Sequence, residues 1–308
     1  MKSERINNTK TETRLIKVSS GGEKRLDIYL KDAVPVTRNR ARAMIDSGRV
    51  FVNGEIQSKY HRLVRCGDDV QFDFLVKTGI EINPFEKELE VVYEGDNFIA
   101  VNKPAGMIVH PTGYGEQDTL VNAAANMKRG DTVHAINRLD RDTTGIVLLA
   151  FDKKKAAELA ELIKDRNVYK EYTCLVHGRV AGKGNIELEI SNGGNGAKCR
   201  KAVETGGKSA ATVYEPKGYY KGATLLKVII KTGRTHQIRA HMQFIKHPII
   251  GDKTYGNLEA DEKLLGDNAP KRQLLHAGLM EFKLNKQLVS ITAPLPEDFK
   301  TALEKLSV

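Results

Sequence analysis

The sequence predicts an α+β protein of two unequal units, and three observations carry that reading. Short apolar runs with strand-like alternation recur at 49–53, 89–93, 98–101 and 225–230, while helical periodicity occupies 120–127 and 153–165. A chain of 308 residues exceeds the usual size of one domain and can bury a substantial core. The stretch 77–88, with Thr78-Gly79 and Asn83-Pro84, reads as a linker between a small unit at 13–76 and a large one at 89–308.

Residues 1–12 are polar without apolar periodicity and read as a disordered arm, and Ser19-Ser20-Gly21-Gly22 punctuates the entry to the small unit. Leu26, Ile28, Tyr29 and Leu30 predict a short helix. Beyond Pro35, Thr37 caps a second, with Ala41, Met44 and Ile45 on its apolar face and Arg38, Arg40 and Arg42 on the others. A strand at 49–53 meets the tight-turn signal Asn53-Gly54, and Gly67-Asp68 turns the chain before Val70, Phe72 and Phe74.

In the large unit, strands at 89–93 and 98–101 flank the turn 94–97. The all-apolar run 146–150 predicts a buried strand, and Asp152 N-caps a helix over 153–165 whose Ala156, Leu159, Ala160 and Ile163 share one face. Further strands are expected at 171–176, 186–190, 211–214 and 225–230, and a helix at 235–245. Asp140, in Asn137-Arg138-Leu139-Asp140, therefore falls in a loop that leads into a strand.

The formal charge is +10, and residues 1–76 hold 15 Lys/Arg against 10 Asp/Glu. Such a surplus favours a polyanion, most simply nucleic acid, although a solvated basic face has the same composition. Cys66, Cys174 and Cys199 are odd in number and far apart, which suits a reducing compartment rather than a disulfide framework. The longest apolar runs fall far short of a membrane span, and the polar N-terminus has no signal-peptide apolar region, so a cytoplasmic protein is expected.

Several chemistries are disfavoured. Gly206-Gly207-Lys208-Ser209 echoes a phosphate loop, but Ala202 stands where its first glycine belongs; Gly193, Gly194 and Gly196 spell no dinucleotide fingerprint. The eight histidines lack zinc-protease spacing, and no nucleophile elbow occurs. What remains is a loop carboxylate with cationic neighbours, which by itself fits a salt-bridged turn as well as catalysis. Arg-Leu-Asp occurs twice, at 25–27 and 138–140, so the tripeptide alone decides nothing.

Longer patterns separate the two copies. Residues 24–75 resemble the S-four-type RNA-binding module, through Arg25-Leu26-Asp27, the helix containing Arg38, Ala41, Ile45 and Gly48, then Val50-x-Val52-Asn53-Gly54 and Gly67-Asp68. That resemblance makes Asp27 structural, capping or salt-bridging locally. Asn137-Arg138-Leu139-Asp140-x-x-Thr143-Thr144-Gly145 resembles the active-site signature of RNA pseudouridine synthases of the RluA/RluD type. Similar motifs follow the same order: the stretch from Asn102 to Pro111, Lys170-x-Tyr172, the stretch from Thr232 to His241, that from His247 to Asp252, and Leu275-His276-Ala277. Asn137 and Thr144 depart from the commoner His and Ser, which blurs the subgroup and hence the RNA site.

The resemblance implies a large mixed, mainly antiparallel sheet with helices, and an isomerase that needs no cofactor or metal. It implies Asp140 as the catalytic carboxylate, as nucleophile or as base, with Arg239 keeping it ionised and Tyr172 stacked on the target base. Arg138 would fill the place of the flipped-out nucleotide or steady the RNA, with an ion pair to Asp142 as the structural alternative. Arg38, Arg40, Arg42 and Lys59 would contact phosphates. The expected substrate is large-subunit ribosomal RNA, free or in a precursor particle, and a monomer is expected. A transfer RNA substrate and a non-catalytic ribosome-assembly factor are the alternatives.

Overall fold

Antiparallel pairing organises both units of the computed structural model, which describes residues 9–19, 23–34, 36–77, 82–111, 116–128, 132–192 and 199–307. The chain divides between residues 81 and 82. In the small unit, β1 (Thr9–Lys17) and β2 (Lys24–Arg25) precede α1 (Leu26–Ala33) and α2 (Arg38–Asp46). Strands β3 (Val50–Val52), β4 (Glu55–Ile56), β5 (Leu63–Val64) and β6 (Asp69–Lys77) follow. The sheet order is β1-β6-β3-β4, and β2 pairs with β5.

Strand β1 corrects the expectation of a disordered arm over 1–12. It begins at Thr9 and pairs with β6 from Thr9 opposite Lys77 to Lys17 opposite Asp69, while residues 1–8 lie outside the described residues. Its polar side chains hid it, although the alternate threonines at 9, 11 and 13 are good strand formers. Thr37 caps α2 as expected, its hydroxyl accepting from the Arg40 amide. Asn53 and Gly54 both have positive φ, the backbone of a type I′ hairpin turn.

Among the described residues the large unit has eleven strands in one sheet. Strands β7 (Val91–Gly95) and β8 (Phe98–Lys103) form a hairpin, followed by α3 (Leu120–Met127), β9 (His134–Ala135), β10 (Thr144–Ala150) and α4 (Lys153–Lys164). Next come β11 (Val168–His177), β12 (Gly184–Asn192), β13 (Arg200–Val203), β14 (Lys208–Tyr220) and β15 (Ala223–Ile230). Helices α5 (Gln237–Phe244) and α6 (Leu258–Leu265) precede the hairpin of β16 (Leu275–Leu284) and β17 (Gln287–Thr292), and α7 (Glu297–Leu306) closes the unit. The order is β13-β12-β14-β15-β11-β16-β10-β8-β7, with β17 on β16 and β9 on β10. This mixed, mainly antiparallel sheet has one parallel pair among the described residues, β10 with β16.

That pair needs a glycine. Gly145 has φ +112°, and a Cβ there would lie 2.2 Å from the Ala277 carbonyl oxygen. Strand β10 is buried along its whole length, as its apolar run predicts, and Asp152 caps α4 by accepting from the Lys155 amide at 2.7 Å.

The expected linker is also corrected. Lys77 ends β6, residues 78–81 lie outside the described residues, and residues 82–88 dock on the large unit. Ile82 and Phe85 pack against its core, the Phe85 amide donates to the Asn122 carbonyl, and Asn122 Nδ2 donates to the Asn83 carbonyl at 2.7 Å. The Gly206-Gly207-Lys208-Ser209 echo is the turn from β13 into β14, where the Gly207 amide donates to Glu189.

Candidate active site

The two Arg-Leu-Asp copies have opposite environments. Asp27 is fully buried at the start of α1 and accepts from Arg25, Arg38 and Arg42 at 3.2, 3.0 and 2.9 Å. Burial works against its charge, yet Arg42, Arg38 and then Arg25 outweigh it and hold its pKa down at about 2. Arg38 and Arg42 thus serve the small unit's own structure, with side chains still 44% and 36% exposed. Lys59 is exposed and Arg40 half-buried in the same unit.

Asp140 is 23% exposed and lines a cavity of about 350 Å³. Its Oδ2 accepts from Arg239 Nη1 at 3.0 Å. Arg239 comes from α5, which also supplies the cavity with Gln237 and Ile238. The other side of its guanidinium grips Asp252 bidentately, Nε donating to Oδ2 at 2.7 Å and Nη2 to Oδ1 at 2.8 Å. Burial opposes the Arg239 cation, but Asp252 and then Asp140 hold its pKa above the ordinary arginine value. One guanidinium is shared between a buried carboxylate and a carboxylate facing the cavity.

Asp252 is fixed in turn by the Thr254 and Tyr255 amides at 2.9 and 3.0 Å. Sequence reading placed it in a motif but gave it no role. His236, in the left-handed region just before α5, brings Nε2 to 3.8 Å from Asp140 Oδ2 while its Nδ1 lies 2.9 Å from the Tyr255 hydroxyl. Tyr172, on β11, is buried in the cavity wall; burial first, and then the Asp140 charge, raise its pKa. Arg138 lines the same cavity, is exposed, and forms no ion pair with Asp142.

The loop carrying Asp140 is held from both ends of the large unit. Lys103, fully buried at the end of β8, directs Nζ to the carbonyls of Pro104, Met107 and Arg141 at 2.7, 2.8 and 2.8 Å. Burial pulls its ammonium down to about 7, with Asp142 opposing. Arg272, clamped by Asp298 of α7 at 2.6 and 2.8 Å, donates to the Asp142 carbonyl at 3.2 Å. Gln273 donates to Thr143 Oγ1 at 3.0 Å, and Thr144 Oγ1 lies 2.9 Å from His276 Nδ1. Asn137 donates to the Ile146 carbonyl and accepts from the Leu148 amide, acting as an extra rung beside β10. The departures from the commoner His and Ser thus occupy supporting positions beside the loop.

No group of His, Cys, Asp and Glu among the described residues is arranged to hold a metal ion, and no helix there is long and apolar enough to cross a membrane. A carboxylate posted beside a roomy cavity, in a chain with a separate basic unit, is an arrangement that suits an enzyme acting on nucleic acid.

Comparison with known proteins agrees. The family described as RNA pseudouridylate synthase matches residues 97–244, and the S4 domain matches residues 24–70. Ribosomal large subunit pseudouridine synthase D of Xanthomonas campestris pv. campestris is 31% identical over 300 residues, covering 93% of this chain and 90% of that protein. An uncharacterized RNA pseudouridine synthase of Chlorobaculum parvum is 34% identical, covering 92% of this chain and 94% of its own. The solved structure of human RNA Pseudouridylate Synthase Domain Containing 4 is 25% identical, with a TM-score of 0.59 over 70% of this chain and 92% of that one. The chain belongs to the RNA pseudouridylate synthase family. It is an enzyme that forms pseudouridine in RNA, with an S4 RNA-binding domain at its N-terminal end.

Proposed function

We propose that this synthase isomerises uridines of large-subunit ribosomal RNA and that Asp140 is its catalytic carboxylate. The observation that carries the reading is the half-shared guanidinium: Arg239 orients Asp140 at 3.0 Å while Asp252 holds Arg239, leaving the carboxylate facing an open cavity. The relatives named for large-subunit ribosomal RNA, similar over most of the chain, support the substrate.

The reaction breaks the bond between the sugar's anomeric carbon and uracil nitrogen, turns the base, and rejoins it through ring carbon five, which gives up its proton while the freed nitrogen takes one up. No atom is gained or lost, so positioning and charge control suffice without an imported reagent. Asp140 acts on the sugar, as nucleophile or as base. Tyr172 offers a ring face against which the detached base is held. Arg138 steadies RNA at the cavity mouth after the uridine has left its stack. Arg38, Arg40, Arg42 and Lys59 supply phosphate contacts on the S4 domain, and the enzyme works as a cytoplasmic monomer without a cofactor.

The test is tritium release from large-subunit ribosomal RNA labelled at uracil carbon five, with the wild type and Asp140→Asn in parallel. Release by the wild type alone is expected. Equal release by both would remove Asp140 from the chemistry, and release only from transfer RNA would move the substrate.

A further inference from the structure

His236 lines the Asp140 cavity and has no part in the chemistry above. It stands just before α5 at φ 58° and ψ 18°, the left-handed region that a residue bearing a Cβ enters at a cost. Its neighbour Gln237 is buried and holds the turn in that shape. The Gln237 Oε1 accepts from the Thr232 hydroxyl at 2.8 Å and the Arg234 amide at 3.1 Å, and its Nε2 donates to the Ala211 carbonyl and the Thr212 hydroxyl, both at 3.0 Å. Backbone strain maintained by so firm an anchor fixes the direction in which the imidazole leaves the chain, and points to a use for it.

The hydrogen bonds behind the ring decide which nitrogen carries its proton. The buried Tyr255 hydroxyl oxygen accepts from the Arg200 amide at 2.5 Å. An amide N–H only donates, so the hydroxyl's own proton is left for its other neighbour, His236 Nδ1, at 2.9 Å. The opposite tautomer, with Nδ1–H donating to the same oxygen, would strand a buried hydroxyl proton without an acceptor among the described residues. Burial is the largest influence on the His236 pKa and lowers it; Asp140 and Asp252 oppose, Arg239 and Arg200 assist, and the ring is neutral at pH 7. Its single proton therefore sits on Nε2.

That Nε2–H is the end of the ring nearest the carboxylate. It lies 3.8 Å from Asp140 Oδ2, beyond hydrogen-bond length, and has no hydrogen-bond partner among the described residues. Arg239 already holds the same carboxylate oxygen at 3.0 Å. A donor with a fixed proton is thus posted beside Asp140 without being consumed by it.

We propose that His236 is a catalytic hydrogen-bond donor to the departing uracil, its Nε2–H directed at the ring carbonyl next to the nitrogen that leaves the sugar. The inference rests on Asp140 acting at the sugar of the target uridine. A donor this close to the carboxylate faces the edge of the base nearest the sugar. That edge carries the departing nitrogen flanked by a C–H and by the carbonyl at ring carbon two, and of the flanking groups only the carbonyl accepts a hydrogen bond. When the glycosidic bond breaks, its electron pair stays with the uracil, and the negative charge spreads from the nitrogen onto that oxygen. A preorganised N–H aimed there strengthens as the charge develops, so it favours the transition state over the bound substrate. The electron pair is spent again in the new carbon–carbon bond, and the imidazole keeps its proton throughout.

The test compares His236→Asn with His236→Gln in the full-length enzyme. Asparagine suits the left-handed backbone but reaches only as far as Nδ1, whereas the glutamine amide nitrogen reaches the place of Nε2. With tritiated large-subunit ribosomal RNA transcript, His236→Asn is expected to lower the single-turnover rate about 100-fold and to change KM less than about threefold. His236→Gln should recover about tenfold of that loss. A second transcript carries 2-thiouridine in place of uridine, tritiated at ring carbon five, so that a weakly accepting sulfur replaces the carbonyl oxygen. Effects of sulfur on RNA folding act on both proteins alike, so the wild-type to His236→Asn rate ratio is what is read, and it should shrink from about 100 to about 3. An unchanged ratio would overturn the contact with this carbonyl, and a normal rate for His236→Asn would overturn the role itself. Nitrogen-15 NMR of labelled histidine, with the His236 signal assigned by its loss in His236→Asn, should show Nε2–H in the wild type and mixed tautomers in Tyr255→Phe; Nδ1–H in the wild type would overturn the proposal. A wild type that releases no tritium from the first transcript, or an Asp140→Asn variant that releases it at full rate, would instead sink the reading on which this one rests, while the NMR would still test where the proton sits.

Discussion

Replacing Asp252 by Asn tests whether the orientation of Asp140 is set from behind. Asp252 accepts four hydrogen bonds: two from the Arg239 guanidinium and two from the Thr254 and Tyr255 amides. Asparagine keeps one acceptor oxygen, turns an NH2 group towards a donor, and removes the charge that balances a buried cation. Breaking one partner of such a buried pair costs about 3–5 kcal/mol, and the retained oxygen recovers about 1 kcal/mol, so a loss of about 2–4 kcal/mol in unfolding free energy is expected. The freed guanidinium then has Asp140 as its only carboxylate partner at 3.0 Å and draws that side chain with it. A displacement of about 1 Å at a reacting group costs about 100-fold. Single-turnover tritium release should therefore show a kcat lowered about 100-fold, with KM changed less than about threefold, and urea unfolding should report the stability loss. Full kcat together with a stability change under about 1 kcal/mol would refute the idea that Asp252 positions Arg239. A loss of stability with normal kcat would confine Asp252 to folding.

Two further outcomes follow from buried ionisable groups. His241 is fully buried with Nδ1 2.8 Å from Thr212 Oγ1, its Nε2 lacks a partner among the described residues, and burial lowers its pKa to about 4. The unfolded chain takes up this proton from about pH 6.5 and the folded chain only near pH 4, so stability falls as pH drops through that window, by about 3 kcal/mol in total; unfolding midpoints from pH 7 to 4 should show the fall, and His241→Gln should flatten it. Lys103→Met leaves the Pro104, Met107 and Arg141 carbonyls without their donor. A net loss of about 3 kcal/mol is expected, together with faster amide exchange at Thr143, and a melting curve that matches the wild type would contradict it.

Much of this arrangement was legible in the sequence because the residues concerned have local signatures. Strand β10 betrays itself as an apolar run, α4 by its cap and periodicity, and Asp140 by the motif around it. What escaped depends on partners far along the chain. Asp252 belongs to a readable motif, but its role exists only because α5 brings Arg239 against it. Lys103 looks like any strand-end lysine until three carbonyls close around it. The hairpin of β16 and β17 turns through Asn285 and Lys286, both at positive φ, and a lysine in that position lacks the usual Asn-Gly turn signal. Strand β1 is mostly polar and is ordered by its ladder to β6, with Ile16 near its end against the small unit's core.

The loop bearing Asp140 is tied at residues 141, 142, 143 and 144 to Lys103, Arg272, Gln273 and His276, groups drawn from both ends of the large unit. In the proposed mechanism, a carboxylate mounted this stiffly does not travel to meet its target. The conformational work of the encounter falls on the nucleic acid, which must bring a uridine out of its stack and into a fixed cavity. Selection among uridines then becomes partly a property of the RNA: those in loops, bulges or weak pairs are presented at low cost, while those in stable helices are withheld whatever the surrounding letters spell.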